Sequence, residues 1–147
     1  MRHLLLGCCL ALCALLARAD IVDIEQAELG RLLQSGVPLV DVRTQPEWEE
    51  TGIIGGSRLL TFFDERGRHD EAAWLEKLKP IAKANQPVIL ICRSGKRSLA
   101  VSRFLTEQAG YTRVYNVKNG IQGWIAGGGS VAPAARSIAA CRGGQAC

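Results

Sequence analysis

The chain has 147 residues, of which 48% are hydrophobic, and this combination predicts one folded domain and excludes wholesale disorder. Its 18 Lys and Arg residues stand against 14 Asp and Glu residues, a net charge of +4. Without Arg2 and Arg18 the 18 basic residues become 16, so residues 20–147 have a net charge near +2. So mild a charge gives no reason to expect a nucleic-acid partner or a membrane surface.

Residues 1–19 have the character of a secretory signal peptide. A short basic start precedes an apolar run over residues 4–16, and Ala17 and Ala19 are small residues at the positions that signal peptidase reads. We therefore expect a mature periplasmic protein that begins at Asp20. An uncleaved membrane anchor is disfavoured because a spanning helix needs about 20 apolar residues. A lipoprotein site at Cys8 is disfavoured because little apolar sequence precedes it.

Helical and strand patterns alternate over residues 20–126, which predicts one α/β domain. The strand at 88–91 has no polar alternation, so we expect both of its faces to be buried between helices. The predicted elements, in chain order, are a helix at 24–34, a strand at 37–42, a helical turn at 45–50, a short strand around 53–60, a helix that Asp70 caps and Pro80 kinks or ends, a strand at 88–91, a helix at 97–109, a strand at 114–117 and a short helix at 120–125.

Residues 127–147 are rich in Gly, Ala, Ser and Pro and predict a flexible tail with two cysteines. Removing residues 1–19 leaves Cys92, Cys141 and Cys147, and an odd number in an oxidising compartment suggests one free thiol. Cys141 and Cys147 are close enough in sequence to form a disulfide, which is the favoured interpretation. The alternative is that one tail cysteine reaches Cys92 and receives sulfur from it as a resolving thiol.

The segment from Cys92 to Ser98 lies between the clearest strand and a helix, at a strand's carboxyl end, where open α/β sheets bind ligands. A tight loop there can direct backbone N–H groups and the positive end of the next helix at one point. Gly95 permits unusual backbone angles, and three basic residues add positive charge. These features favour a reactive thiolate at Cys92 over an inert, buried cysteine.

This loop resembles the active-site loop of the single-domain rhodaneses. Two further segments are similar to the same family, so the resemblance covers about residues 21–125: Asp41-Val42-Arg43 with Glu47, Trp48 and residues 52–57, and then residues 117–124. It implies an α/β fold with a central five-stranded parallel sheet and helices on both faces. The family often has His where this chain has Ile53, a position that is usually structural.

The resemblance implies a thiosulfate sulfurtransferase in which Cys92 attacks the outer sulfur of thiosulfate, releases sulfite and holds a persulfide. Cyanide or a cellular thiol would then accept the sulfur, with no cofactor and no metal. The substrate-binding residues are expected to be those of the loop: Arg93, Ser94, Gly95, Lys96, Arg97 and Ser98. We expect no stable membrane insertion, and a monomer is compatible with the sequence.

Supporting roles are predicted for residues outside the loop. Asp41 is expected to accept nearby backbone N–H groups, and Arg43 is expected to pair with Glu47. His69 is interpreted as a surface residue rather than a general base. The tryptophans are expected to pack in the core or at its rim: Trp48, Trp74 and Trp124.

Two rival functions are disfavoured. Phosphatases of the cell-cycle dual-specificity type have five residues between the cysteine and the arginine of their loop, whereas four separate Cys92 from Arg97. The shorter loop has space for a sulfur atom but is tight for a phosphate ester. Rhodanese-like modules that only bind a partner commonly lack the cysteine, so Cys92 favours an enzyme.

Overall fold

A computed structural model describes residues 19–142, so most of the predicted signal peptide and Cys147 lie outside the described residues. None of the helices in this range is long and apolar enough to cross a membrane. The elements in chain order are β1 (Asp20–Ile24), α1 (Gln26–Gln34), β2 (Leu39–Asp41), α2 (Gln45–Thr51), β3 (Arg58–Leu59), α3 (Glu71–Leu78), β4 (Val88–Ile91), α4 (Lys96–Glu107), β5 (Arg113–Val117), α5 (Gly120–Ala126) and α6 (Ala135–Arg142).

The strands of this range form one five-stranded parallel sheet in the order β1-β5-β4-β2-β3. Strand β4 lies at its centre and is buried along its whole length. Val88 and Leu90 pack in the cluster that holds α3 and α4, whereas Ile89 and Ile91 pack in the cluster that holds α1 and α5. Helices therefore cover both faces of the sheet, and the predicted fold class is confirmed.

Strand β1 was not predicted from the sequence, which assigned a helix from residue 24 and no element before it. The strand pairs with β5 in parallel, from Asp20 opposite Arg113 to Ile24 opposite Val117. It is an edge strand, and only Ile24 is fully buried. Because two of its five residues are aspartates and no regular apolar pattern results, pairing with β5 rather than local preference determines its conformation.

Of two features predicted for the middle of the chain, the helix cap at Asp70 is confirmed and the place of Ile53 in the short strand is wrong. The N-cap at Asp70 is confirmed, since its carboxylate accepts the N–H of Ala73 at 2.9 Å, and α3 ends at Leu78, before Pro80. Ile53, however, does not join the parallel sheet. It forms an isolated antiparallel bridge with Ala132, in which each backbone N–H donates to the carbonyl of the other residue, at 2.9 and 2.8 Å.

The C-terminal segment is more ordered than the sequence predicted. The expectation of a tail with little structure is wrong for residues 134–142, which contain α6. Ala134 and Ile138 are four residues apart, so they share one helical face, and they pack in a cluster with residues from α2 and β3. A Gly- and Ala-rich composition suggests flexibility, but the packing of these two apolar side chains contributes to docking the helix.

The structure describes one of the two tail cysteines. Cys141 packs against the same cluster and is disulfide-bonded, whereas Cys92 is a free thiol. Cys147 lies outside the described residues, so the disulfide between Cys141 and Cys147 stays a prediction.

Truncating the buried side chain of α6 tests whether this helix is part of the folded domain. Ile138→Ala is expected to lower the free energy of unfolding by about 2–4 kcal/mol, because a large buried aliphatic side chain is lost. Urea denaturation of the non-reduced protein measures it. Arg136→Ala, on the exposed side of the same helix, is the matched control. Equal stability of the two variants would show that α6 is not docked in solution.

Candidate active site

Cys92 follows β4 directly, and α4 begins four residues later, so the predicted arrangement of strand, loop and helix is confirmed. The side chain of Cys92 is 1% exposed. Its Sγ accepts the backbone N–H of Gly95 at 3.2 Å and lies 3.4 Å from the Oγ of Ser98. Both contacts come from the start of α4, whose positive end favours negative charge on the sulfur.

A second loop holds the Cys92 loop in place. Gly95 has φ +90°, and a Cβ on it would lie 2.0 Å from the carbonyl oxygen of Lys118. Gly120 has φ +58°, and a Cβ on it would lie 2.4 Å from the carbonyl oxygen of Arg93. The N–H of Ile121 also donates to the carbonyl of Cys92 at 2.9 Å. The segment 117–124, which is similar to the rhodanese family, therefore forms one side of the site.

On the other side of the site, Asp41 and Arg43 form a fully buried ion pair. The Nη2 of Arg43 lies 2.7 Å from Oδ2 of Asp41, and its backbone N–H donates to Oδ1 at 3.1 Å. The guanidinium also donates to Thr51 Oγ1 at 2.7 Å and to the carbonyl of Gly52 at 2.9 Å. These bonds fix the position of α2 against the end of β2. The expectation that Asp41 accepts a backbone N–H is confirmed.

The predicted pairing of Arg43 with the Glu47 carboxylate is wrong. Arg43 reaches only the backbone carbonyl of Glu47, at 3.4 Å, because Asp41 already neutralises its charge. The carboxylate instead binds Arg97 at two points, with N–O distances of 2.9 and 2.5 Å. It also accepts the N–H of Thr44 at 3.1 Å, which completes a capping box at the start of α2.

The contacts of Glu47 alter the pKa values of both charged groups. Partial burial would raise the pKa of Glu47, but hydrogen bonds from Arg97 and Thr44 outweigh this effect and lower it from 4.5 to about 2. Glu47 in turn raises the pKa of Arg97, through its hydrogen bonds first and its negative charge as well. Arg97 therefore joins α2 to the loop electrostatically, and its predicted contact with the substrate stays a prediction.

The other predicted loop residues divide by exposure. Gly95 and Ser98 are buried beside the sulfur, whereas Arg93, Ser94 and Lys96 are exposed at the rim. Within residues 19–142, neither Arg93 nor Lys96 forms an ion pair. The same range contains no group of three or more His, Cys, Asp or Glu side chains that could hold a metal ion.

His69 and the three tryptophans, which lie outside the Cys92 loop, occupy the surface and the core. His69 is exposed, as predicted, and stacks on Phe62 with a centroid distance of 5.2 Å. Trp48 and Trp74 are buried in the core, and Trp124 is partly buried against it, so the predicted packing roles are confirmed.

Two residues of the site were missed in the sequence. Asn116, on β5, is 2% exposed and accepts a 2.6 Å hydrogen bond from Ser98 Oγ. Its Nδ2 donates to Asp23 on β1 at 2.8 Å. A signal for Asn116 was available, because a polar residue inside the predicted apolar strand at 114–117 needs a buried partner. Asp23 gave no such signal, since its strand was not predicted.

Residues 25–127 match the rhodanese-like domain. The chain belongs to the rhodanese-like domain family. Over 111 residues it is 31% identical to thiosulfate sulfurtransferase 18 of Arabidopsis thaliana, covering 72% of this chain and 79% of that one.

One further relative is similar over a short segment, and one solved structure has a similar fold. Thiosulfate sulfurtransferase GlpE of Actinobacillus pleuropneumoniae is 51% identical over 39 residues, which are 26% of this chain and 35% of the relative. The crystal structure of Rv0390 from M. tuberculosis has a TM-score of 0.65 and 27% identity, covering 78% of this chain and 98% of that one. The relatives of this rhodanese-like domain support a sulfurtransferase activity in general.

The bond between Glu47 and Arg97 predicts a specific loss of stability in acid. Because the pKa of Glu47 is lowered in the folded protein, its contribution is complete above pH 4.5 and is lost as the pH falls toward about 2. Glu47→Gln is expected to lower the free energy of unfolding by about 1–2 kcal/mol at neutral pH, a modest loss because Arg97 is partly exposed. Urea denaturation at several pH values measures the difference, which should shrink in acid.

Glu49→Gln is the matched control, since Glu49 lies on α2 but is exposed. A Glu47→Gln deficit that stays constant down to pH 2 would contradict the assignment of the lowered pKa to this ion pair.

Proposed function

We propose that the protein is a thiosulfate sulfurtransferase that carries sulfur as a persulfide on Cys92. The observation that carries this proposal is the 3.2 Å hydrogen bond from the Gly95 N–H to Sγ, at the positive end of α4. A donor and a helix terminus directed at one sulfur favour its anionic form, which is the nucleophile in sulfur transfer. The relatives named as thiosulfate sulfurtransferases support the same reaction.

The reaction needs no net oxidation or reduction. The Cys92 thiolate attacks the outer sulfur of thiosulfate, a new S–S bond forms, and the old S–S bond breaks with its electron pair leaving on sulfite. An acceptor thiolate or cyanide then attacks the outer sulfur of the persulfide, and the electron pair of that S–S bond returns to Cys92. The positive end of α4 favours the anion at every stage.

The route for the donor is best placed at the exposed rim of the loop. Cys92 is buried, whereas Arg93, Ser94 and Lys96 are the exposed residues of its loop, so we expect thiosulfate to approach past them. The two basic side chains carry charge opposite to that of the dianion and are not neutralised by ion pairs in the described residues. They therefore support attraction of the donor, while the paired Arg97 supports the shape of the loop.

Replacing the nucleophile tests the central claim. Cys92→Ser is expected to abolish sulfur transfer from thiosulfate to cyanide and to leave the fold intact, because the two side chains are nearly isosteric. Mass spectrometry should find one added sulfur atom on the Cys92 peptide after thiosulfate treatment, and cyanide should remove it. Ser94→Ala is a control at the rim that keeps the nucleophile. Sulfur bound to the Cys92→Ser protein would refute the proposed intermediate.

Exposed and paired cations of the loop are expected to differ in their effects. Lys96→Ala should raise KM for thiosulfate by about two- to fivefold and leave turnover of an uncharged organic trisulfide unchanged, since it removes one exposed charge. Arg97→Ala should lower activity with both donors, because Glu47 loses its partner. Steady-state kinetics measures both, with Lys83→Ala as a surface control. Equal losses with both donors for Lys96→Ala would argue against electrostatic attraction.

We propose further that the protein is exported to the periplasm by cleavage after Ala19. Support comes from the start of β1 at Asp20, since this cleavage leaves the whole edge strand in the mature chain. N-terminal sequencing of the protein from the cell envelope should begin at Asp20. An intact leader in the membrane fraction would favour an anchored protein instead.

A further inference from the structure

The hydroxyl of Ser98 has more acceptors around it than it has protons. Its Oγ lies 2.6 Å from Oδ1 of Asn116, 3.2 Å from the carbonyl oxygen of Gly95 and 3.4 Å from Sγ of Cys92. A serine hydroxyl donates one proton and accepts through two lone pairs. Only one of these neighbours can receive the proton at a time, and Ser98, at 0% exposure, has no access to solvent.

Asp23 decides which neighbour receives that proton. The carboxylate of Asp23 can only accept, so the Asn116 group at 2.8 Å from it must be the Nδ2 donor. The other end of the amide, Oδ1, therefore faces Ser98, and it also can only accept. The short contact of 2.6 Å is then a hydrogen bond in which Ser98 donates to Asn116. The lone pairs of Ser98 Oγ remain for the sulfur.

We propose that Asn116, oriented by Asp23, is a positioning residue that directs the Ser98 proton away from Cys92 and so disfavours the free thiolate relative to the persulfide. This inference rests on the proposed function and deepens it. In the thiol state, the S–H of Cys92 donates to Ser98 Oγ. When Cys92 loses its proton, the thiolate lies against the lone pairs of Ser98 Oγ, which is unfavourable. The Ser98 hydroxyl can relieve this only by rotating to donate to the sulfur, and it then loses its hydrogen bond to Asn116.

The persulfide does not incur this cost. Its negative charge lies on the outer sulfur, one bond farther from Ser98, and Sγ itself is uncharged. Ser98 can therefore keep its bond to Asn116 while the anion uses the N–H of Gly95 and the positive end of α4. The arrangement favours the sulfur-loaded enzyme over the empty thiolate, which limits the time that a bare thiolate is present.

Other charged groups belong to the elements around this sulfur. The loop and α4 contribute three cations, the end of β2 and the residues after it contribute a neutralised pair, and α2 contributes the partner of one cation: Arg93, Lys96, Arg97, Asp41 with Arg43, and Glu47. Within residues 19–142, none of these side chains is hydrogen-bonded to the Ser98 hydroxyl. An effect of Asn116 or Asp23 that acts through Ser98 can therefore be distinguished from a general electrostatic effect, because only the first requires the Ser98 hydroxyl.

The experiment measures the ultraviolet absorbance of the Cys92 thiolate against pH, as the difference from a matched Cys92→Ser protein. Asn116→Leu, which changes no charge, is expected to lower the midpoint by about one pH unit, a tenfold change in the ionisation equilibrium, or about 1.4 kcal/mol. Asp23→Ala should lower it in the same direction. Asp20→Ala, which removes an exposed carboxylate from the same strand, is the control and should leave the midpoint unchanged.

The decisive comparison repeats both substitutions in a Ser98→Ala background, where they should have no effect. A midpoint that is unchanged or higher in Asn116→Leu would overturn the proposal, as would an equal decrease without Ser98. If Asn116→Leu does not fold, Asp23→Ala decides the question, since the Asp23 side chain is exposed. No sulfur donor or acceptor is present, so the result does not depend on whether Cys92 transfers sulfur.

Discussion

The site depends on the close contact between two backbone segments at the carboxyl edge of the sheet. At Gly95 and at Gly120, backbone atoms of the other loop lie where a Cβ would be. The two loops therefore fit together only because both residues lack side chains. This contact fixes the direction of the Gly95 N–H, which is directed at the sulfur. A donor held by backbone packing needs no reorganisation when negative charge arrives, and preorganised donors of this kind contribute strongly to catalysis.

Charged side chains hold the same loop from the opposite side. The buried pair of Asp41 and Arg43 fixes α2, the capping box of α2 orients Glu47, and Glu47 holds Arg97. Arg97, the cation near Cys92, is therefore held by a series of contacts that starts at Asp41, the last residue of β2. Because each contact in the series restricts the next, the loop can keep its electropositive character without much freedom of movement.

Local patterns predicted a large part of this arrangement. The apolar strand β4, the loop after it and the helix that follows each have a signature within a few residues, and Gly95 marks the turn. Contacts between distant residues were not predictable in this way. The partner of Arg97 is 50 residues away, and β1 is stabilised by pairing with β5. Helix α6 is docked by apolar contacts that include Ala134, Ile138 and Cys141, in a segment whose composition suggests flexibility. In these cases tertiary contacts outweigh local preference.

The pairing of β1 with β5 also has a consequence for the order of folding. Asp23 and Asn116 are separated by 93 positions in the chain, and their hydrogen bond connects β1 to the site. Contacts of such separation form late, because the entropy of loop closure must be overcome before they contribute. A growing chain contains the nucleophile well before it contains β5. We therefore expect the site to be completed late in folding, when β1 pairs with β5, the last strand of the sheet in chain order.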